Sequence, residues 1–331
     1  MLTRTFSYTD VYKSYKDKNV VILGASGFIG RWLARALSKI GANIFLFVRD
    51  KHAAKRIFDQ FGVSGVVFEL NLVDDAESLI NIFKKISPDV VFNLAGYGVN
   101  PSQRDQNLAY TINADLVSIV CKAMATAKGD NWVGQDIVHV GSALEYGKDS
   151  SDLSESIACV PTTLYGESKL LGTKRLAMSC EQYGLKGVTV RLFSVYGPGE
   201  HNSRLLPSLL NLAKNQSLPL TEGQQKRDFT YVEDVVEGLL RIGVINKSEA
   251  VNNDRVINLA TGQLNSVRSF VEIAASILTI DFKNLKFGEI PVRKEEMQHL
   301  PVTNALLKQQ TGWVPSLSIA EGIGRCVKFL N

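Results

Sequence analysis

Cysteine and histidine are too few and too scattered to organise this chain. Its four cysteines, Cys121, Cys159, Cys180 and Cys326, show no CxxC or zinc-type spacing, which argues against a disulfide scaffold. Histidines 52, 139, 201 and 299 form no pair or cluster that would assemble a metal site, and none is expected. No apolar run approaches the ~18–20 residues of a membrane span. An excess of one charge is also missing. The 37 basic and 33 acidic residues leave a net charge of +4, too balanced to argue for nucleic acid or a membrane surface as partner. Residues 1–17 carry no apolar signal core, so they read as a short appended extension of a cytoplasmic protein. Neither a Walker phosphate loop nor an ordered Ser/His/Asp set supports phosphoryl or acyl transfer.

What the chain does have is glycine in the right place. Asn19–Gly30, NVVILGASGFIG, runs four apolar residues into Gly24, Ala25, Ser26, Gly27, Phe28, Ile29 and Gly30. A continuous apolar run ending in glycine reads as a buried parallel strand. Trp32, Leu33, Ala36 and Leu37 then form a helical face. Glycines between a strand and a helix suit a dinucleotide pyrophosphate. Gly24 permits the tight turn, Gly27 lets backbone approach the phosphates, and Gly30 lets the helix pack on the strand. The phosphates meet the helix N-terminus, where free N–H groups and the macrodipole favour an anion.

The GxxGxxG spacing resembles that of short-chain dehydrogenase/reductases, and the resemblance to their extended, NAD-dependent epimerase/dehydratase branch continues over about residues 18–330. Asn43–Val48 is the second strand, ending in Arg49-Asp50. An acid at such an end binds the ribose 2′-hydroxyl of NAD. Here Val48 holds that place and Arg49 follows, which favours NADP, because a guanidinium clamps a 2′-phosphate that a carboxylate would repel. The alternative is NAD, with Arg49 solvated and Asp50 on the 2′-hydroxyl. Asn71-Leu72 stands where the family reads adenine. Leu94-Ala95-Gly96, after the fourth strand, lays backbone against the cofactor. Asn113, in a helix expected over 105–128, matches the family asparagine that braces the active-site backbone.

The catalytic set implied by the resemblance is Ser142, Tyr165 and Lys169. Tyr-x-x-x-Lys places both side chains on one helical face, since i and i+4 are neighbours. Tyr165 donates the proton, and Lys169 as a cation is expected to lower the phenol's pKa and to hold the nicotinamide ribose. Ser142 donates to the substrate oxygen. Ala143 and Leu144 replace the Asp-Glu or Ser-Glu pair of the family's 4,6-dehydratases, so dehydration is not expected. Phe193 closes the sixth strand on the cofactor side. Ser194 replaces a family asparagine that touches the substrate diphosphate, and Arg227 and Arg293 match the two diphosphate arginines.

The expected fold is a doubly wound parallel Rossmann sheet over 18–195, with 227–262 returning to it. A smaller substrate lobe is expected from 196–226 and 263–331. The expected function is NADPH-dependent reduction of a nucleotide-linked 4-keto-6-deoxyhexose by a homodimer paired through helices 105–128 and 162–183. A 4-epimerase with tightly bound NAD is the alternative, and a non-catalytic NAD(P) sensor a remote one.

Overall fold

A computed structural model describes residues 8–72, 75–98, 103–129, 132–147, 152–212, 216–245, 256–292 and 300–330. Its first element corrects the reading of residues 1–17 as a mere appendage. Helix α1 (Tyr8–Tyr15) is seated in the core, with Val11 and Tyr15 fully buried. The Tyr15 hydroxyl donates to the Leu240 carbonyl at 2.8 Å, and its ring lies 5.3 Å from Trp132 and 6.1 Å from Phe92. The Tyr12 hydroxyl reaches Glu237 at 2.9 Å.

Strand β1 (Asn19–Leu23) leads through the glycine turn into α2 (Phe28–Ile40), which Gly41 ends in the left-handed region. Next come β2 (Asn43–Val48), α3 (Lys51–Phe61), β3 (Val66–Glu69), α4 (Ala76–Ile86) and β4 (Val90–Asn93). The helix expected over 105–128 is divided. α5 (Gln106–Tyr110) passes into a π-helical turn at Thr111–Asp115 and then α6 (Leu116–Ala127). Gln106–Ala127 has the length and apolarity of a spanning helix, with a mean hydropathy of 1.3, but half of that window is buried within the protein. It packs between α4 and α7 (Leu164–Tyr183), and α7 in turn lies beside β5 (Ile137–Ser142).

The chain continues through β6 (Gly187–Leu192), β7 (Ser194–Tyr196), α8 (Leu205–Leu210), β8 (Leu218–Leu220), β9 (Lys226–Tyr231) and α9 (Val232–Gly243). It closes with β10 (Val256–Leu259), β11 (Leu264–Ser266), α10 (Val267–Leu278), β12 (Leu285–Phe287), α11 (Ala305–Thr311) and α12 (Ile319–Leu330).

Seven strands form one parallel sheet in the order β10-β6-β5-β4-β1-β2-β3. Side chains alternate across it, as the two-residue period of a strand requires. Val20 and Ile22 of β1 join Leu33, Leu37, Val235 and Leu239 on one face, while Val21 and Leu23 join Phe83, Val117, Val120 and Leu176 on the other. Helices therefore cover both faces, the doubly wound arrangement expected from the sequence. The order reverses between β1 and β4, and ligands of such sheets bind at the strand ends beside that reversal.

A three-stranded sheet, β11-β9-β7, and a two-stranded one, β12-β8, lie in the C-terminal part. The return to the large sheet, expected from Arg227, begins only at Val232. Lys226–Tyr231 belongs to the small sheet, and α9 and β10 make the crossing.

Candidate active site

The glycine turn meets its steric demands in the expected order. Gly24 sits at φ +75°, and a Cβ there would lie 2.9 Å from the backbone of Leu94 and Ala95. A Cβ on Gly30 would stand 2.2 Å from the Gly24 carbonyl oxygen. Ala95 and Leu94 thus run directly against the turn, with Ala95 buried and Gly96 open. Gly27 is the N-cap of α2 and offers no side chain to its free N–H groups. Instead Arg31 reaches back, donating to the carbonyls of Ser26 at 2.8 Å and Gly27 at 3.1 Å. Phe28 and Ile29 pack partly buried against the core.

At the end of β2, Arg49 is exposed, while the Asp50 carboxylate caps α3 by accepting from the Ala53 N–H at 2.8 Å. Glu69 accepts from the Lys51 N–H at 2.9 Å. Asn71 is exposed, and Leu72 packs against the core beneath the sheet end.

The π-helical turn positions Asn113. One extra residue per turn rotates this side chain inward, and such bulges recur at functional sites. Its amide donates to the Tyr97 carbonyl at 2.8 Å and to Ser168 Oγ at 2.9 Å, and its oxygen accepts from the Tyr97 N–H at 3.0 Å. Asn113 therefore ties the loop after β4 to α7. Gly172 of α7 makes this approach feasible, since a Cβ there would lie 2.1 Å from the Asn113 carbonyl oxygen.

Tyr165 stands in the first turn of α7, which Thr163 caps by accepting from the Gly166 N–H at 3.0 Å. The turn Ala143–Glu145, following Ser142, lies on the same helical turn, with the Leu144 carbonyl against Gly166. This contact groups the end of β5 with Tyr165. Lys169, one turn further along, is 2% exposed, and among the described residues its ammonium makes no hydrogen bond or ion pair. Burial lowers its pKa to about 8, partly opposed by Glu145. A cation buried without a partner is costly unless a ligand completes its contacts.

One expectation is revised. Tyr165 was expected to have a lowered pKa, but burial raises it, Glu145 raises it further, and Arg204 alone opposes. Desolvation outweighs the opposing Arg204, so the phenol holds its proton. Ser142 has a local task too. Its Oγ accepts from the Leu144 N–H at 3.2 Å in a capping box with Glu145, leaving the hydroxyl proton available for donation.

Phe193 packs against the small cluster around Tyr146 and Val302. Ser194 of β7 pairs with Phe229 of β9, two residues from Arg227, so both residues belong to the same small sheet. Arg293 lies outside the described residues.

Four residues around these elements were given no role in the site by sequence. Glu145 and Arg191 form a fully buried ion pair at 3.0 Å. Glu200 is almost buried, and burial raises its pKa to about 7 although Arg204 lies 3.4 Å away. His139 on β5 is fully buried. Its Nδ1 faces the Asn93 amide nitrogen at 3.2 Å, because the amide oxygen already accepts from the Ala95 N–H. That fixes the proton on Nε2, which has no partner among the described residues. A charged residue in an apolar strand, such as Arg191 within VTVRLF, was the available signal for a buried pair.

The family model for the NAD dependent epimerase/dehydratase family matches residues 20–260. The chain belongs to this family. It is an enzyme of the short-chain dehydrogenase/reductase type, in a family that modifies nucleotide sugars. A dTDP-6-deoxy-L-talose 4-dehydrogenase (NAD(P)(+)) from Kitasatospora kifunensis is 28% identical over 317 residues, covering 92% of this chain and 93% of that protein. An epimerase from Methanothermobacter thermautotrophicus superposes with a TM-score of 0.82 at 25% identity, over 97% of this chain and 94% of that one. The fold is shared with a UDP-glucuronic acid 4-epimerase from Bacillus cereus, solved with UDP-glucuronic acid and NAD, at a TM-score of 0.77, 20% identity, and 94% and 98% coverage. The glycine turn, the uncapped α2 N-terminus and the unpaired Lys169 fit a dinucleotide of this kind.

Proposed function

We propose that this enzyme uses NADPH to reduce the 4-keto group of a nucleotide-linked 6-deoxyhexose. The observation that carries this reading is the end of β2, where Arg49 is exposed and Asp50 is committed to capping α3. A guanidinium there favours a 2′-phosphate, and the acids beside it, Asp50 and Glu69, each accept from a backbone N–H of α3. Gly24, Ser26, Gly27, Phe28, Ile29 and Gly30 would cradle the pyrophosphate, with Asn71, Leu72, Leu94, Ala95, Gly96, Asn113 and Phe193 lining the rest of the dinucleotide. The bound cofactor supplies the hydride. Ser142 would orient the C4 carbonyl, the carbon receives the hydride, and the oxygen takes the proton of Tyr165, whose phenolate is then reprotonated from solvent. Lys169 would hold the ribose and stabilise that phenolate. Ser194, Arg227 and Arg293 would face the substrate diphosphate.

Two observations support reduction. Burial keeps Tyr165 protonated, the state a proton donor must start from. The 4-dehydrogenase of K. kifunensis, by its name, performs oxidoreduction at the same carbon with either dinucleotide. Dehydration is disfavoured, since Ala143 and Leu144 carry no proton-transfer group and the Glu145 carboxylate is occupied by Ser142, Thr173 and Arg191. The second reading, a 4-epimerase retaining NAD, draws support from the similarity to the M. thermautotrophicus epimerase.

A thermal-shift panel crossing NADPH and NADH with UDP-, dTDP-, CDP- and GDP-sugars tests the proposal. Ligands that bind the folded state raise its melting temperature. NADPH should stabilise more than NADH, and dTDP- or CDP-4-keto-6-deoxyglucose should then oxidise NADPH stoichiometrically. Interconversion of C4 epimers without NADPH consumption would establish the epimerase instead.

We also propose a homodimer through α5, α6 and α7. Met178 of α7 is 70% exposed and Tyr183 is 37% exposed, leaving apolar area for a second copy. Light scattering at micromolar concentration should give twice the chain mass of 36.4 kDa. A monomeric mass would count against the pairing.

A further inference from the structure

Glu145 is fully buried and has a partner for each carboxylate oxygen. Oε1 accepts from the Ser142 N–H at 2.8 Å. Oε2 accepts from Thr173 Oγ1 at 2.9 Å and from Arg191 Nε at 3.0 Å. Three elements therefore converge on one carboxylate: the end of β5, the α7 helix and β6. Thr173 is four residues beyond Lys169, and residues at that spacing on a helix are neighbours on one face. The Glu145 anion thus lies along the same buried stripe of α7 as the unpaired ammonium.

Arg191 extends the assembly. Its guanidinium carbon lies 4.4 Å from the centre of the Tyr146 ring, and Nη2 reaches Cys159 Sγ at 3.1 Å. The Tyr146 hydroxyl in turn donates to Asn258 Oδ1 of β10 at 2.7 Å.

We infer that Glu145 is a positioning residue for the Ser142–Tyr165–Lys169 set: its carboxylate locks Ser142 and α7 in register and sets a buried negative charge on the α7 face that carries Lys169, without pairing with it. The inference rests on the reading of Tyr165 and Lys169 as the proton-transfer pair, but it concerns a property of the protein without substrate. The groups bearing on Lys169 are Glu145 from the turn after β5 and neutral His139 from β5, while Tyr165 lies four residues before it on α7. Arg191 from β6 lies behind Glu145, flanked by Tyr146 and Cys159, and Arg204 acts on Tyr165 from the segment after β7. Glu145 is the one carboxylate acting on both members of the pair, and it favours protonation of both. Thr173, by contrast, is uncharged, so its loss would remove a hydrogen bond and leave the field in place.

The test is titration of Lys169 by NMR in protein labelled with 13C-lysine, following the Cε resonance that is absent from Lys169→Arg. The parent should show a midpoint near 8, consistent with a buried ammonium. Glu145→Gln keeps the shape and most of the hydrogen bonding but loses the charge, and should lower the midpoint by about one unit or more. Glu145→Gln combined with Arg191→Met removes both charges, a change that buried ion pairs often tolerate, and should lower it by less. Thr173→Val should leave it where the parent has it. An ordinary lysine midpoint in the parent would overturn the inference. So would an unmoved midpoint when Glu145 is neutralised, singly or with Arg191, or an equal shift in Thr173→Val. None of these readings uses a keto sugar. If Lys169 responds as stated and no nucleotide sugar is turned over, the substrate reading fails alone.

Discussion

Tyr165→Phe should bind NADPH almost as the parent does and lose about 10²–10⁴-fold in kcat, the range for removal of a general acid. The variant keeps the aromatic ring, whose packing includes Gly98, where a Cβ would come 3.2 Å from Tyr165 Cδ2. It deletes only the hydroxyl, so thermal stability should be little changed. Stopped-flow measurement of NADPH oxidation with a 4-keto sugar nucleotide separates the chemical step from binding. Burial and Glu145 hold the phenol protonated, so the alkaline limb of reduction should follow loss of the Lys169 cation, near 8 without ligand, before the phenol ionises. Turnover by Tyr165→Phe at the parent rate would remove Tyr165 from the proton-donating role. It would leave the fold and the dinucleotide cradle untouched.

Arg49→Ala should weaken NADPH by about 10- to 100-fold and NADH by little, because only NADPH presents a phosphate to pair. Hydrogen bonds to charged groups contribute about 1.5–3 kcal/mol, which corresponds to that range. Arg49 is exposed, so the loss should shrink as salt rises through the range where the Debye length falls below ~10 Å. Fluorescence titration with both cofactors at low and high salt measures it. Equal weakening of the two, or tighter NADH in the parent, would show that the 2′-phosphate is not read at this position. Asp50 would then become the residue to examine, since its second oxygen is not needed for the cap.

How much of this was legible depended on how local the cause was. The glycine turn could be read because its requirements fall within seven residues and follow an apolar strand. The placement of Asn113 could be guessed, but the π-helical turn that aims it could not, since no composition signal marks one extra residue in a helix. Ser142 was readable both as a candidate donor and as a strand-end cap, and its bond from the Leu144 N–H shows the cap. Glu145 and Arg191 are 46 residues apart, and nothing in either neighbourhood announces the other. The protonation of Tyr165 was misjudged for a related reason. Its spacing to Lys169 is visible in sequence, but the depth of burial that holds its proton is not.

The docking of α1 also bears on how the chain is made. Tyr15 and the Leu240 carbonyl are 225 residues apart, and synthesis proceeds at about 5–20 residues per second. The ribosome therefore releases this helix roughly 10–45 s before its acceptor on α9 exists. Until then Tyr15, buried in the finished protein, lacks the α9 part of its seat, although α2, Phe92 and Trp132 are made earlier. A bulky domain fused immediately upstream would have to leave room for α1 to thread into place after α9 has formed. A chaperone that shields apolar nascent segments would find one here before α9 has been made.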